Sequence, residues 1–278
     1  MSKYLRHKEY VSIGMDLKIN EETHINHADC EAGIDTKRRL YIKRIDNGVL
    51  AYCHHCGKRG SYWEAFARVM ANKKSSSYAS KKFLGTVPKD TCYRIEEWPS
   101  PARVWLRRYG ITDKEVVEKG IGYSERYRRV VLPCEYGGKL RGYQLRKVWD
   151  NDDNPNKYLT FGEKPLFWYG KPSGKFSTLI VVEDIISGIK CSRFFPTLAL
   201  LGSSLQDDLL SSIIHWQYDH YIIFLDDDNT QVRKSQVVIK NKLSLLGKTK
   251  LIKDIGKDPK ELSHDELKIL LDKYNRVW

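Results

Sequence analysis

The chain has 278 residues, 41% hydrophobic and 30% charged, with a formal net charge of +13; it is too apolar for disorder and too polar for a membrane protein. That length allows one large or two modest domains with a real core. The 48 Lys and Arg against 35 Asp and Glu point to an anionic partner, nucleic acid foremost. Met1 to Tyr10 is charged and leads into no apolar h-region, and runs such as Leu179–Val182 and Tyr221–Leu225 are strand-length rather than membrane-spanning. A cytoplasmic location is expected, and in that reducing compartment the six cysteines direct attention to metal or catalysis rather than to disulfides.

Taken in chain order, the first informative motif is a pair of half-sites, His27-Ala28-Asp29-Cys30 and Cys53-His54-His55-Cys56. Two short-spaced ligand pairs flanking strands Leu40–Lys43 and Val49–Tyr52, joined through Asp46-Asn47-Gly48, predict a hairpin-borne zinc ribbon. Its ligands are expected to be His27, Cys30, Cys53 and Cys56, with His24, His54 and His55 as alternatives to His27. Cys92, Cys134 and Cys191 offer no ligand pair and read as ordinary thiols. Ser61 and Glu64 stand at capping-box spacing and predict a helix over Ser61–Met70. The Lys- and Ser-rich stretch from Asn72 to Lys82 reads as a flexible linker.

Beyond it, Pro101–Tyr109 reads as a helix closed by Gly110, and Thr112 with Glu115 opens another that ends at Gly120. Arg129–Pro133 and Leu140–Val148 flank Gly137-Gly138 as a hairpin. From Ser177 short apolar strands alternate with amphipathic helices. Strands are expected at Thr178–Val182, Thr197–Leu201, Tyr221–Leu225 and Lys250–Ile252, and helices up to about Phe194, at Asp207–His215 and at Val232–Leu246. Continuous apolar strands between helices predict an α/β domain with a parallel sheet covered on both faces, giving an α+β chain overall.

In such a sheet, function collects at the carboxyl ends of the strands. Glu183 ends the first strand and Asp226-Asp227-Asp228 the third. Extended geometry puts Asp226 and Asp228 on one side, and carboxylates this close call for a hard divalent cation with oxygen ligands. Asp184 is explained as the cap of the next helix.

These residues carry a resemblance. Leu179–Glu183, Ala199–Ser203, Ile223–Asp228 and Gly256–Pro259 together look like the Toprim domain of primases and topoisomerases, which holds Mg²⁺ on a Glu and an Asp-x-Asp. A zinc ribbon, a linker and a Toprim core in this order resemble bacterial and phage DNA primases. Ala51–Ser61, Gly142–Arg146 and Asn156–Thr160 with Leu166–Gly170 add to the likeness. The first acidic motif departs from the family's Glu-Gly-x-x-Asp, with Ser187 in place of the second acid. The resemblance implies a zinc-ribbon template-recognition domain over 1–71, a linker over 72–90, the first part of the primase core over 91–176, Toprim over 177–256 and a tail over 257–278. About 20 residues after Pro259 are too few for a helicase on the domain-size prior, so a stand-alone primase of phage or mobile-element type is expected, with any helicase a separate protein.

The implied activity is Mg²⁺-dependent RNA primer synthesis on single-stranded DNA from ribonucleoside triphosphates, with Glu183, Asp226 and Asp228 catalytic and metal-binding. Arg146, Lys157 and Arg141 would hold nucleotide or template phosphates; Lys58, Arg59 and Tyr62, mixing cations with an aromatic, would contact single-stranded DNA. A Toprim nuclease is the first rival. A catalytically lapsed relative that binds DNA or recruits a helicase is the second.

Overall fold

The computed structural model describes residues 4–45, 48–63, 85–149, 156–226 and 230–276, with Trp63, Thr230 and Gln231 described by backbone alone. The turn residues Asp46 and Asn47, the expected helical stretch 64–70, linker residues 72–84, and Asp227 and Asp228 lie outside the described residues.

The N-terminal region holds a short helix α1 (Val11–Met15) and an antiparallel sheet of β1 (Glu22–Ile25), β2 (Leu40–Ile45), β3 (Gly48–Cys53) and β4 (Arg59–Trp63), adjacent in sequence order. The helix expected from Ser61 is corrected over its first residues. Ser61 pairs with Leu50 and Tyr62 with Val49, so the ladder of β3 outweighs the local capping signal. Every residue of β3 is buried because both of its faces are covered. Val49, Ala51 and Cys53 join Leu5, Tyr10, Leu40 and Ile42 in the ribbon's own core, while Leu50 and Ile45 reach the core of the C-terminal α/β unit.

The middle region begins with β5 (Thr91–Cys92), α2 (Ser100–Arg108) and α3 (Asp113–Glu118). Thr112 and Glu115 form the expected capping box at the start of α3. An antiparallel sheet follows in the order β5, β6 (Gly122–Ser124), β7 (Arg129–Tyr136), β8 (Lys139–Lys147), β9 (Tyr158–Gly162). Gly137 and Gly138 both take positive φ, at 62° and 70°, which makes the tight β7–β8 turn a glycine position.

The C-terminal region runs β10 (Trp168–Gly170), β11 (Thr178–Val182), α4 (Ile185–Ser192), β12 (Thr197–Ala199), α5 (Asp207–Trp216), β13 (His220–Ile223), α6 (Thr230–Ser244), β14 (Lys248–Leu251) and α7 (His264–Arg276). The sheet order is β10-β12-β11-β13-β14, parallel except where β10 meets β12. Alternate residues of β11 serve opposite cores. Ile180 and Val182 pack with α4 and α7, and Leu179 and Val181 with α5 and α6, the physical reason why this strand reads as one continuous apolar run.

Helix α7 corrects the reading of 257–278 as a tail. Ser263 and Glu266 cap it reciprocally, Leu267 and Leu271 are fully buried, and Asn275 accepts a hydrogen bond from Thr178 at 2.6 Å. Among the described residues no helix is long and apolar enough to cross a membrane.

Candidate functional site

His27, Cys30, Cys53 and Cys56 each present a ligand atom, all within 4.8 Å of one another. The Sγ atoms of Cys30 and Cys53 are 3.9 Å apart, and Cys56 Sγ lies 3.5 Å from His27 Nδ1. Tetrahedral zinc with Zn–S near 2.3 Å and Zn–N near 2.0 Å requires edges of roughly 3.8 Å and roughly 3.5 Å. The cluster therefore fits a structural zinc ion. Burial pushes the Cys53 thiol up to about 12, so the protein alone favours neutral thiols and a bound cation would reverse that preference.

The local folding of the knuckle follows from its backbone. Gly57 donates to the Cys53 carbonyl at 2.8 Å and takes φ +73°, turning the chain so that both cysteines face inward. On the other half-site, the buried carboxylate of Asp35 accepts from the backbone of His27, Lys37 and Arg39 at 2.8–3.1 Å, shaping the loop that carries His27 and Cys30. His27 turns Nε2 to Glu9 Oε1 at 2.9 Å, which orients the ring and leaves Nδ1 for the metal. The alternative histidines fall elsewhere. His54 packs edge-on to Tyr41 and Tyr52, His24 pairs with Glu22, and His55 Nδ1 lies 3.4 Å from Cys30 Sγ without joining the four-ligand set.

The second candidate site lies at the carboxyl ends of β11 and β13, which run side by side with Val181 opposite Ile223. Glu183 directly follows β11 and Asp226 comes three residues after β13. Asp184 caps α4, accepting from Ser187 N at 3.0 Å and from Ser187 Oγ at 3.2 Å. Ser187, at the position where the sequence departs from the Toprim pattern it resembles, is fully buried and serves that cap. A residue that sequence reasoning passed over completes the cluster. Lys260 Nζ lies 2.6 Å from Asp258, 2.8 Å from Asp226 and 3.1 Å from Asp184. Burial works against its charge, but the three carboxylates overcome it and hold the ammonium well above the ordinary lysine range. The Oδ1 atom of Asp226 is buried with no hydrogen-bond partner among the described residues, and an orphaned oxygen of this kind fits a hard cation.

The expected phosphate-binding residues are spread along β8 and β9. Arg146 is half-buried, its guanidinium 5.2 Å from the ring centres of both Trp105 and Tyr158. Tyr158 in turn feels the charges of Asp184, Arg146 and Lys260, which brings Arg146 to the edge of the acidic cluster. Lys157 is exposed beside Tyr158, and Arg141 pairs with Glu163 at 3.1 Å. A cavity of about 220 Å³, lined by Thr160, Lys164, Leu201, Gly202, Ser204 and Gln206 among others, opens beside Gly202, whose amide bonds to the Glu183 carbonyl.

The expected DNA-contacting group on the ribbon divides. Lys58 pairs with Glu31 at 2.5 Å, and Tyr62 is half-buried against His7. Arg59 is corrected: only 7% exposed, it donates to Tyr218 O at 2.7 Å and meets Asp219 at 3.4 Å, docking the ribbon on the α/β unit instead of facing solvent. That contact is at the amino end of β13. Asp226 lies beyond the opposite, carboxyl end of that strand, so the ribbon docks away from the carboxylates.

No family model and no curated protein sequence matches this chain. Solved structures do. The Aquifex aeolicus primase, zinc-binding and RNA polymerase domains, aligns over 94% of this chain and 81% of its own at 17% identity, with a TM-score of 0.51. The fold resembles that of a DnaG-type primase. The RNA polymerase domain of Mycobacterium tuberculosis primase DnaG aligns over 64% of this chain and 75% of its own at 14% identity, TM-score 0.50. The same M. tuberculosis domain in complex with a double-stranded DNA oligomer with a 6-nucleotide overhang aligns at 18% identity with a TM-score of 0.42. The primase-like fold thus extends across the ribbon, the middle sheet and the parallel sheet, with a cluster of zinc-binding type at its N-terminal end.

Proposed function

We propose that this protein is a primase, a nucleotidyltransferase that builds short RNA primers on single-stranded DNA from ribonucleoside triphosphates. The observation that carries the reading is the pair Asp184 and Asp226, brought together on Lys260 at the strand ends of a parallel sheet with Glu183 directly after β11, within a fold that joins this sheet to a zinc-type ribbon. Glu183 and Asp226, with Asp228, would hold Mg²⁺ or Mn²⁺. When bound, that ion neutralises the triphosphate and lowers the pKa of the primer 3′-hydroxyl.

The chain's own groups account for the rest. Lys260 keeps Asp184 and Asp226 from repelling each other. Arg146, held between Trp105 and Tyr158, presents a fixed positive charge beside the cluster, and exposed Lys157 adds a mobile one; both suit phosphates of a nucleotide or template. The ribbon over 1–71 would recognise the template, and a helicase would be a separate partner.

The test is full-length, zinc-loaded protein with single-stranded templates, labelled ribonucleotides and Mg²⁺ or Mn²⁺. Short ladder products that fall by at least about 100-fold in Asp226→Asn, the scale for losing an electrostatic stabiliser, support the reading. Shortened template instead of ladders assigns the centre to a nuclease. No product with either metal, while single strands still bind, makes the protein a non-catalytic relative.

A further inference from the structure

Three carboxylates from distant parts of the chain converge on one nitrogen. Asp184 begins α4, Asp226 follows β13, and Asp258 stands in the segment after β14; their Oδ2 atoms surround Lys260 Nζ at 2.6–3.1 Å. All four side chains are largely withdrawn from water, with exposures of 11% for Lys260 and 12%, 14% and 17% for Asp184, Asp226 and Asp258. Acids this close and this dry require a cation among them.

The lysine is held there by design of the backbone. Lys190, buried on α4, donates its own Nζ to the carbonyls of Lys260 and Leu262, and Pro259 and Leu262 are buried on either side. A second lysine thus anchors the segment that carries the first. This arrangement would be superfluous if Lys260 were only a surface residue folded over an acidic patch.

We infer that Lys260 is the resident countercation of the centre: its ammonium holds the place between Asp184, Asp226 and Asp258 that a divalent ion would otherwise take. A centre built this way stays assembled without divalent ions and takes up one fewer of them. The ammonium itself coordinates nothing and activates no hydroxyl. Lys260 is therefore a positioning residue, and the reacting ion binds on the side of Asp226 Oδ1. The inference concerns which cations the centre holds, whether it builds or cuts a phosphodiester, so counting ions separates its failure from a failure to make primers.

The experiment is a Mn²⁺ titration of the zinc-loaded, full-length chain, reading free Mn²⁺ by electron paramagnetic resonance. Lys260→Ala should bind one more Mn²⁺ per chain than the unaltered protein, and Lys260→Ala with Asp258→Asn should lose that extra ion. Equal counts in Lys260→Ala and the unaltered protein, with the variant folded by circular dichroism, overturn the inference. Hydrogen exchange of the unaltered protein gives a second reading that needs no variant. Protection of the amides from Asp258 to Leu267 should be the same in Mg²⁺-free buffer as with millimolar Mg²⁺, and protection that collapses without Mg²⁺ overturns the inference.

Discussion

Glu9 reaches the ribbon's metal cluster from a turn eighteen residues ahead of His27, and its Oε1 accepts from His27 Nε2 at 2.9 Å. His27 is 1% and Glu9 11% exposed at the side chain, so water cannot replace the bond without opening the core of the ribbon. Removing it with Glu9→Ala leaves the imidazole free to rotate and takes away the acceptor that fixes Nδ1 toward Cys56. A hydrogen bond to a charged group contributes about 1.5–3 kcal/mol, and loss of such an outer partner typically weakens metal binding 10–100-fold, or about 1.4–2.7 kcal/mol. The two estimates agree. Glu9 also accepts from the Arg6 backbone through its other oxygen, and Glu9→Gln keeps one acceptor oxygen of nearly the same shape where Glu9→Ala keeps none. Zinc affinity measured by competition with a chromophoric chelator should fall at least 10-fold in Glu9→Ala and less in Glu9→Gln. An Ala variant within twofold of the unaltered protein would refute the assignment of Nδ1 as ligand and Nε2 as the anchored nitrogen.

Other consequences follow from named contacts. Arg59→Met removes the buried bond to Tyr218 O while refilling the stem, and should cost about 1.5–3 kcal/mol of docking. Amide exchange in β4 and around Tyr218 should quicken with zinc retained, whereas unchanged exchange would show that docking rests on the apolar contacts alone. Burial alone would raise the Glu115 carboxyl, but the Arg193 bonds at 2.7 and 2.8 Å hold it below the usual carboxylate range. Its contribution is complete above the unfolded value of about 4.3 and is lost as pH falls through the lowered folded value. Glu115→Gln should therefore destabilise the protein at neutral pH and flatten its loss of stability in acid, as read from urea unfolding at several pH values; an unchanged acid slope would contradict this. Single-stranded DNA binding should weaken with salt, with a log–log slope of about −0.7 for each phosphate neutralised. A slope near zero would remove phosphate contacts from the account.

The parts of the fold visible in sequence are those where local pattern and tertiary demand coincide. The ligand half-sites are visible because metal geometry fixes short spacings, and Thr178–Val182 is visible because both its faces are buried. The capping box at Thr112 needs only four residues and forms as expected. A similar signal at Ser61 misleads, since β3 supplies a ladder that local propensity cannot anticipate. The opposite error occurs at α7. Ser263-His264-Asp265-Glu266 is a capping box followed by apolar residues at 267, 270, 271 and 274, a helix signal that was legible there. Lys260, Glu9 and Arg59 had no such signal, because each acts on partners far away in sequence.

The sequence by itself determined the chemistry available: four soft ligands at zinc spacing, acids at the ends of apolar strands, and a basic surplus around them. Short-range geometry and burial period are enough for that. Tertiary structure alone decided which charges meet. It buries Arg59 in a docking contact, sets Arg146 within cation–π reach of two rings and places Lys260 among three aspartates. Charge pairing depends on distances of a few ångströms between residues up to 160 positions apart, and only the packed chain brings such residues together.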